Sequence, residues 1–409
     1  MKPSILVAAT SRWFAPVRLS LALRDAGFTV YAVCPPRHPV LKTSALAEFY
    51  KYHGLAPLAS FERAIAACKP DLILPCDDLS TLHLHQIYER RKTTDAQLTQ
   101  LIERSLGSPE GFPVLFARTA FMKLAEREGV RVPKTSVITN SSDLKSWIAE
   151  TGLPTVLKAD GSSGGEGVRT VSTFEQAQKT HRDLGSPPLM ARAAKRTIVD
   201  QDSTLVWPSI LRTHRKVNAQ AFVRGKEATT LVACWKGAVL AGLHFEVVVK
   251  RDSTGPATVL RLSDNAEMAA TAEKMVRRLK LSGLHGFDFM LENETQNAYL
   301  IEINPRATQI GHLRLGPGRD LPAALISALT GETIREQAAL TKRDTFALFP
   351  QEWIRDPQSP YLTSAYQDVP WQEPELLLAC AKKRSRPGSR QSEANASEQA
   401  LPVARATRP

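Results

Sequence analysis

The sequence predicts an α/β domain with a parallel sheet, followed by a two-lobed α+β unit with antiparallel sheets. Through roughly the first third of the chain, apolar runs alternate with helical segments, which is typical of parallel strands joined by helical crossovers. From Phe116 onward, turn signals join neighbouring strand-like runs directly. The chain has 409 residues, 43% of them hydrophobic. That is enough for more than one core, since single cores stop growing at roughly 250–300 residues.

The first domain is predicted from five elements that alternate between strand and helix. They are a strand at 5–9, a helix at 17–26, a strand at 28–34, a helix at about 60–68 and a strand at 71–74. Ligands of parallel sheets bind at the carboxyl ends of the strands. Those ends carry Ser11, Arg12, Asp77 and Asp78, which are either substrate-binding residues or ordinary polar loop residues. No GxGxxG follows the first strand, which argues against a dinucleotide site.

The second unit begins with an amphipathic helix at 116–128 that ends at Gly129. A short strand at 156–158 runs into a glycine-rich loop at 161–167. Five strand-like runs follow, at 217–223, 228–235, 238–249, 287–291 and 298–303, and a helix at 320–329 closes the unit. We expect residues 336–380 to form a C-terminal extension and residues 381–409 to be a disordered basic tail, because the tail has almost no large apolar side chain.

The charge of the chain suits an anionic partner. Its 53 basic and 41 acidic residues give a net charge of +12. Residues 381–409 hold seven basic and two acidic residues, a surplus of five, which leaves +7 for the rest. A mildly basic body of this kind suits a phosphate-bearing small molecule as well as a nucleic acid. The tail lacks the interleaved aromatic residues of a single-strand binding platform, which disfavours a nucleic-acid partner.

The cysteines and apolar runs indicate a cytoplasmic protein that is not bound to a membrane. The five cysteines form no CxxC pair and no zinc-type cluster, which fits a reducing compartment. The apolar run at 5–9 is shorter than the ~7–15 residues of a signal-peptide core. No stretch approaches the ~18 apolar residues of a membrane span.

Lys158 and the glycine-rich loop after it form the first candidate binding element. Four of the seven loop positions are glycine, so that successive N–H groups can approach phosphate oxygens closely. A lysine just before the loop can neutralise phosphate charge. The alternative is a plain flexible turn. The loop is not a P-loop, because no Gly-Lys-Ser/Thr follows it.

A second candidate element is a set of oxygen ligands on two strands. Glu302 and Asn304 are two residues apart, so they face the same side of a strand. Asp288 precedes Glu302 by fourteen residues, a spacing that a hairpin brings side by side. Carboxylate and amide oxygens suit Mg²⁺, which shares its ligands with substrate phosphates. A solvated face is the alternative, but the neighbours of Glu302 and Asn304 are apolar (Leu300, Ile301 and Ile303).

Four motifs, taken in their order along the chain, indicate a family resemblance over about residues 111–335. The chain resembles ATP-grasp enzymes, and is similar to the carboxylate–amine ligases and to the ATP-grasp unit of carbamoyl-phosphate synthase. The resemblance rests on the helix before 129–133, the Lys158 loop, the hinge strand at 220–227, and Asp288 with the run at 302–306. It implies a pre-ATP-grasp domain at 1–110 and an ATP-grasp domain at 111–335. The flap-bearing lobe would occupy about 130–215 and the metal-site lobe about 216–335.

The resemblance also implies roles for individual residues. Phosphate binding would fall to Arg118, with Lys123 as the alternative, and to Lys158 with its flap of Gly161, Ser162, Ser163, Gly164, Gly165 and Gly167. Adenine and ribose would be bound by Gln220, Ala221, Phe222, Val223 and Glu227, through the backbone C=O of Ala221 and the backbone N–H of Val223. The metal ligands would be Asp288, Glu302 and Asn304. Arg306 and Lys158 would be catalytic. Some ligases carry an arginine where this chain has Gly286, which leaves Arg306 as the main cation near the transferred phosphoryl group.

The implied function is an ATP- and Mg²⁺-dependent ligase, with Mn²⁺ as a substitute metal. A carboxylate would attack the γ-phosphate to give an acylphosphate and ADP, and an amine would then displace phosphate. The partners are small-molecule carboxylates and amines, and the resemblance allows a homodimer. Two alternatives are an ATP-grasp kinase or carboxylase, although no Met-Lys-Met biotin signature is present, and a non-catalytic ATP-binding regulatory protein.

Overall fold

The structure, a computed structural model, describes residues 2–161, 167–187, 190, 209–212, 214–333 and 337–384. Its first sheet has four strands in the order β3-β2-β1-β4, and all neighbours are parallel. The elements of this domain are β1 (Ser4–Ala8), α1 (Ala15–Ala26), β2 (Thr29–Cys34), β3 (Leu46–Lys51), α2 (Pro57–Cys68), β4 (Leu72–Pro75), α3 (Asp78–Arg91) and α4 (Ala96–Leu106). The predicted parallel α/β domain is confirmed. The edge strand β3 was not predicted, because it is mostly exposed and lacks a continuous apolar run.

The second sheet carries the loop that follows Lys158. Its strands are antiparallel and lie in the order β5-β8-β6-β7. The elements are α5 (Phe112–Leu115), α6 (Arg118–Arg127), β5 (Thr135–Ile138), α7 (Ser141–Thr151), β6 (Thr155–Ala159), β7 (Val168–Val171), α8 (Phe174–Gly185) and β8 (Val217–Ala221). The lobe boundary predicted at residue 216 is wrong. Because β8 pairs with β5 and β6, the first lobe ends after Ala221.

The third sheet has seven strands in the order β13-β12-β9-β10-β11-β14-β15, antiparallel except for β14 and β15. Its elements are β9 (Gly225–Trp235), β10 (Ala238–Lys250), β11 (Ala257–Leu262), α9 (Ala266–Leu279), β12 (Gly283–Glu292), β13 (Ala298–Asn304), α10 (Leu321–Thr330), β14 (Thr345–Ala347), α11 (Gln351–Arg355), α12 (Tyr361–Ser364), β15 (Tyr366–Gln367) and α13 (Pro374–Arg384). The C-terminal extension thus completes this sheet. Since α13 continues to Arg384, residues 381–384 are helical and not part of a disordered tail. Residues 385–409 lie outside the described residues, and the tail stays a prediction there.

One hydrophobic core joins the first domain to the third sheet. Ile73 of β4 and Phe121 of α6 belong to the same buried cluster as Phe287 and Phe289 of β12. Burying a side chain of this size stabilises the fold by about 1.5–3 kcal/mol. The shared core fixes β12 against the first domain. Among the described residues, no helix is both long and apolar enough to cross a membrane.

Gly225, at the start of β9, allows the chain to pass from the second sheet to the third. A Cβ at this position would lie 2.1 Å from the Leu291 carbonyl oxygen of the neighbouring β12. Any side chain would force the two strands apart. The glycine therefore fixes how closely β9 approaches β12, which carries one of the predicted metal ligands.

Candidate functional site

The predicted metal ligands lie together on the hairpin of β12 and β13. Asp288 and Glu302 are directly opposite each other across the two antiparallel strands, and Asn304 is opposite Gly286. The register shifts just after Asp288, between that residue and Phe289. This pairing confirms the predicted hairpin. The hairpin was predictable because two-residue alternation and a fixed separation determine which side chains meet across two strands.

Asp288 is held by two side chains from neighbouring strands. Its Oδ1 accepts a hydrogen bond from Thr229 Oγ1 at 2.8 Å, and its Oδ2 accepts one from Asn304 Nδ2 at 2.8 Å. Burial raises the pKa of Asp288 to about 6, and the nearby Glu302 carboxylate adds to the shift. Two adjacent carboxylates in a buried place favour either a proton or a cation between them.

Two buried cations approach Glu302 from the second sheet and from α6. Arg118 Nη1 lies 3.1 Å from Glu302 Oε1, and Lys158 Nζ donates to the backbone oxygen of Ile301 at 3.4 Å. Burial lowers the pKa of Lys158 to about 8, and Arg118 adds to this effect. Burial alone would raise the pKa of Glu302, but Arg118 and Lys158 outweigh it and keep the pKa below its usual value.

Arg306 links the hairpin to the first domain. Its Nε donates to Asp78 Oδ1 at 2.7 Å, and its Nη2 donates to Asn304 Oδ1 at 3.1 Å. Burial lowers the pKa of Arg306, but Asp78 outweighs that effect and leaves it raised. Asp78 is the first residue of α3, so the first domain contributes a carboxylate to the site.

A chain of side chains that the sequence did not identify holds Arg118 in place. Thr119 Oγ1 donates to Asn218 Oδ1 at 2.6 Å, and Asn218 Nδ2 donates to Asp160 Oδ1 at 2.8 Å. Asp160 Oδ1 in turn lies 3.8 Å from Arg118 Nε. One sequence signal was available: Asn218 is a polar residue between the apolar residues Val217 and Ala219.

The flap lies only partly within the described residues. Gly161 has a φ of 68°, a left-handed conformation that favours glycine. The Ala159 N–H donates to the Gly167 carbonyl oxygen at 2.9 Å, which closes the base of the loop directly after Lys158. Ser162, Ser163, Gly164 and Gly165 lie outside the described residues. The phosphate-binding role of this loop stays a prediction.

The predicted nucleotide-base residues lie where the chain leaves β8. The buried Gln220 donates through Nε2 to Thr135 Oγ1 at 3.2 Å. Phe222 and Val223 lie in the connection between β8 and β9, directly after Ala221. Glu227 Oε1 accepts from Lys250 Nζ at 2.6 Å. Contacts of these residues with adenine and ribose remain predictions.

Of the four polar residues at the carboxyl edge of the first sheet, three form hydrogen bonds within the first domain. Asp77 Oδ2 accepts from the backbone N–H groups of Thr10 at 2.6 Å and Ser11 at 3.2 Å, and Asp77 also caps α3. Arg12 Nε donates to the carbonyl oxygen of Pro36 at 3.0 Å. Asp78 pairs with Arg306, which lies two residues after the end of the hairpin.

Lys123, the alternative to Arg118, lines a different cleft. That cleft lies between α6 and α9, and its lining includes Ser108, Arg127 and Lys280. Arg118, by contrast, is buried next to Glu302. Of the two alternatives, the structure brings only Arg118 to the hairpin.

Gly286 has no room for the arginine that some ligases carry there. A Cβ at this position would lie 2.8 Å from Thr308 Cγ2 and 3.2 Å from Asn304 Cβ. Arg306 is instead the arginine that reaches Asn304 from the following loop. In this chain Thr308 and Asn304 take up the space that a side chain at position 286 would need.

The donor set of the hairpin fits Mg²⁺ better than a softer metal. Within the described part of the chain, no group of three or more His, Cys, Asp and Glu side chains is arranged around a common metal position. The hairpin offers two adjacent carboxylates, Asp288 and Glu302, and an amide whose oxygen accepts from Arg306. Mg²⁺ uses one or two carboxylates and takes its other ligands from water and phosphate.

Comparisons with known proteins agree with this fold. Residues 117–312 match the family model described as carbamoyl-phosphate synthase L chain, ATP binding domain. The carbamoyl phosphate synthase large chain of Thermotoga petrophila is 23% identical over 322 residues, which cover 78% of this chain and 26% of that protein. The chain thus spans about a quarter of the length of the synthase chains that it matches.

Two solved structures share the fold. One is the biotin carboxylase domain of the 2-oxoglutarate carboxylase of Hydrogenobacter thermophilus, with a TM-score of 0.58 at 17% identity, covering 83% of this chain and 72% of that one. The other is the N5-carboxyaminoimidazole synthetase of Staphylococcus aureus in complex with ADP, also at 0.58, with 14% identity, 83% of this chain and 81% of that one. The predicted arrangement of a parallel α/β domain and a two-lobed ATP-grasp unit is confirmed.

Proposed function

Because the chain is an ATP-grasp protein that resembles the ATP-binding unit of carbamoyl-phosphate synthase, we propose that it is an ADP-forming ligase. It activates a carboxylate with ATP and joins the activated acyl group to an amine. Phosphoryl transfer needs positioning and charge neutralisation more than a protein nucleophile. The residues around the hairpin supply both.

The observation that carries this proposal is the set of three cations around one carboxylate pair, with Lys158 buried and Arg118 and Arg306 partly buried. Arg118, Lys158 and Arg306 converge on the hairpin from three separate parts of the chain. Holding charges of both signs largely away from water is costly even when they are paired, and a ligand that binds both signs offsets that cost. An ATP triphosphate with its metal supplies the missing charges of both signs.

Each residue then has one task in the reaction. Arg118 and Lys158 hold phosphate oxygens, and the Arg118–Glu302 pair opens as the nucleotide binds. Asp288 and Glu302 would hold Mg²⁺, which supplies charge neutralisation on the phosphates when bound. Asn304 joins them only if its amide oxygen leaves Arg306. The backbone of Ala221 and Val223 meets adenine, and Glu227 exchanges Lys250 for the ribose hydroxyls.

Arg306 orients the incoming carboxylate. One carboxylate oxygen attacks the γ-phosphorus, the bond from that phosphorus to the ADP oxygen breaks, and an acylphosphate forms. The amine nitrogen then attacks the acyl carbon and loses a proton, and phosphate leaves with the former carboxylate oxygen. Asp78 holds Arg306 at its Nε, while Nη1 donates to the Ala307 carbonyl oxygen and Nη2 to Asn304 Oδ1.

A two-substrate screen tests the proposal. ADP release is measured with Mg·ATP while small carboxylic acids, including bicarbonate, and amines are supplied singly and in pairs. We expect ADP release that depends on the carboxylate, and a condensed product by mass only when the amine is present. Turnover with an alcohol or sugar and no carboxylate would instead make the protein a kinase. Tight ATP binding without turnover across the screen would make it a regulatory protein.

The oligomeric state is tested separately. The biotin carboxylase domain named above is a dimer in its structure, and we extend the same state to this chain. Light scattering on the purified protein should then give twice the chain mass of 45.0 kDa. A mass equal to a single chain contradicts this extension and leaves the ligase proposal intact.

A further inference from the structure

A second buried charge cluster lies where the first domain meets the C-terminal extension. Arg18 of α1 pairs through Nη1 with Asp368 Oδ2, and His312 Nε2 lies 2.8 Å from the same oxygen. The backbone N–H of Phe349 donates to Asp368 Oδ1 at 2.6 Å. None of these four residues belongs to the hairpin site.

Arg18 keeps two hydrogen-bond donors unused in this cluster. Its Nε and Nη2 are buried and have no partner among the described residues, and the whole side chain is almost inaccessible, at 3% of the residue's exposure. Phe14 covers the guanidinium, whose Cζ lies 5.5 Å from the ring centroid. The N–H groups of Nε and Nη2 lie along the same edge of the planar guanidinium, and together they form the fork that binds both oxygens of a carboxylate.

Arg18 lines a cleft of about 240 Å³, although its unused Nε and Nη2 atoms are shielded from solvent. Arg18, Leu21 and Asp368 are buried there, while Asp25, Gln337, Leu340 and Gln372 lie at the exposed mouth. A buried water needs only about 10–15 Å³ of such volume, so the cleft takes a larger molecule. Leu21, Ala22, Leu340 and Tyr366 form the apolar part of a wall that is otherwise mostly polar.

The other charged groups of the cleft already have partners. Asp25 Oδ1 accepts from Arg24, and Asp320 Oδ1 caps α10 by accepting from the Ala323 N–H. Arg314 donates to Gln337 and to the carbonyl oxygen of Ala338. Asp368 is shared between Arg18, His312 and the Phe349 N–H. Among the described residues that line the cleft, Arg18 is thus the charged residue whose buried donors lack a hydrogen-bond partner.

We propose that this cleft is a second ligand site, which takes a small carboxylic acid with an apolar body. The carboxylate binds the Nε–Nη2 fork of Arg18, and the body lies along Leu21 and Leu340. The fork is shielded in the free protein, so that entry of the carboxylate displaces a side chain at the inner end. Asp368 directly follows β15 and pairs with Arg18 of α1. A carboxylate bound to Arg18 therefore stabilises the attachment of the C-terminal extension to the first domain.

Butyrate tests the proposal on the full chain, without ATP or Mg²⁺ and at constant ionic strength. Binding is measured by calorimetry and by the melting temperature, with butyramide as the uncharged analogue and chloride and phosphate as other anions. We expect saturable binding and a raised melting temperature with butyrate alone. An equal effect of butyramide, chloride or phosphate would overturn the proposal.

Arg18→Lys removes the fork but keeps a positive charge for Asp368, and Arg24→Lys is the matched control on the same helix. Butyrate affinity should fall by at least about tenfold in Arg18→Lys, because one hydrogen bond to a charged group is lost. It should stay unchanged in Arg24→Lys. ADP affinity should not change in either variant. Butyrate affinity equal to that of the original protein in Arg18→Lys would overturn the proposal.

Ala22→Leu provides a second test that does not touch the charge cluster, in case Arg18→Lys does not fold. Ala22 is part of the wall, and three added carbons narrow the cleft beside Leu21. Butyrate binding should be lost while the melting temperature without butyrate stays close to the original. A correctly folded Ala22→Leu protein that still binds butyrate normally would also overturn the proposal.

Discussion

Two sets of partly buried carboxylates in this molecule differ in what they mainly bond to. At the carboxyl edge of the first sheet, Asp77 accepts hydrogen bonds from the backbone N–H groups of Thr10, Ser11 and Ser80, and one from the Thr10 hydroxyl. On the β12–β13 hairpin, Asp288 and Glu302 have side chains as their partners in the hydrogen bonds and ion pairs described above.

The kind of partner decides whether a carboxylate stabilises the fold or can exchange its partner for a ligand. A side-chain partner such as Arg118 can rotate away when a ligand arrives, at the cost of one rotamer change. A backbone partner such as the Thr10 N–H moves only if the loop between β1 and α1 unfolds. Asp77 and Asp78, although adjacent, fall on opposite sides of this division, since Asp78 pairs with the side chain of Arg306.

The largest effect should come from Glu302→Gln. The amide keeps the size of the side chain but loses the charge that would hold Mg²⁺ against the phosphates. Turnover at saturating ATP and Mg²⁺ should fall by at least about 100-fold, more than the loss of an outer-shell partner of a metal. Affinity for metal-free ADP should change much less. Asn304→Asp, which keeps an oxygen ligand, is the matched milder variant, and near-normal turnover in Glu302→Gln removes the hairpin from the metal site.

Lys158→Ala should have the next largest effect. It removes one charge-assisted contact to phosphate, worth about 1.5–3 kcal/mol, so that ADP affinity should fall by roughly 10- to 150-fold. Lys123→Ala removes a lysine from the cleft between α6 and α9 and should leave the affinity unchanged. Calorimetry on both variants measures the contrast. Equal losses in the two would show that general surface charge, not the position of Lys158, binds the nucleotide.

Asp77→Asn should lower stability and spare the nucleotide site. Its amide nitrogen would face backbone N–H donors, and we expect a loss of about 1–3 kcal/mol in the free energy of unfolding. Asp78→Asn is the matched neighbour: its unfolding free energy should change little, while turnover falls because Arg306 loses its anchor. Urea unfolding together with turnover measures both. A reversal of the two outcomes would break the division between backbone-bound and side-chain-bound carboxylates.

The smallest effect is a pH dependence of ADP binding. Because burial lowers the pKa of Lys158 to about 8, the free protein loses this charge as the pH rises through that value. ADP without metal should therefore bind about tenfold more weakly at pH 9 than at pH 7, since one proton must be taken up on binding. Lys158→Arg, which stays charged, should bind ADP without this decline. A decline of the same size in Lys158→Arg would assign it to another group.

The parts of the site that follow from local pattern were predictable. Asp288, Glu302 and Asn304 meet because strand alternation and a fixed separation determine cross-strand neighbours. The pairing of Arg306 with Asp78 was not predictable, because 228 residues separate them and only the packing of the first domain against the hairpin brings them together. The same holds for Thr119 and Asn218, which lie in different elements.

The boundary between the two lobes was missed for a related reason. The run at 217–223 reads as a single strand and carries no turn signal before Gly225. The chain leaves one sheet after Ala221 and enters the next at Gly225, guided by the close approach of Leu291. Sequence periodicity reports which residues are buried in a strand, but it does not report which sheet the strand joins.

The most direct test of the ligase account follows the oxygen atoms. The carboxylic acid that the screen identifies is supplied with heavy oxygen in its carboxylate, and the phosphate released during turnover is analysed by mass. Activation through an acylphosphate predicts one heavy oxygen in each phosphate, because the carboxylate oxygen that attacked the γ-phosphorus leaves with it. Phosphate free of the label, with all heavy oxygen retained in the acid or its product, would contradict the account.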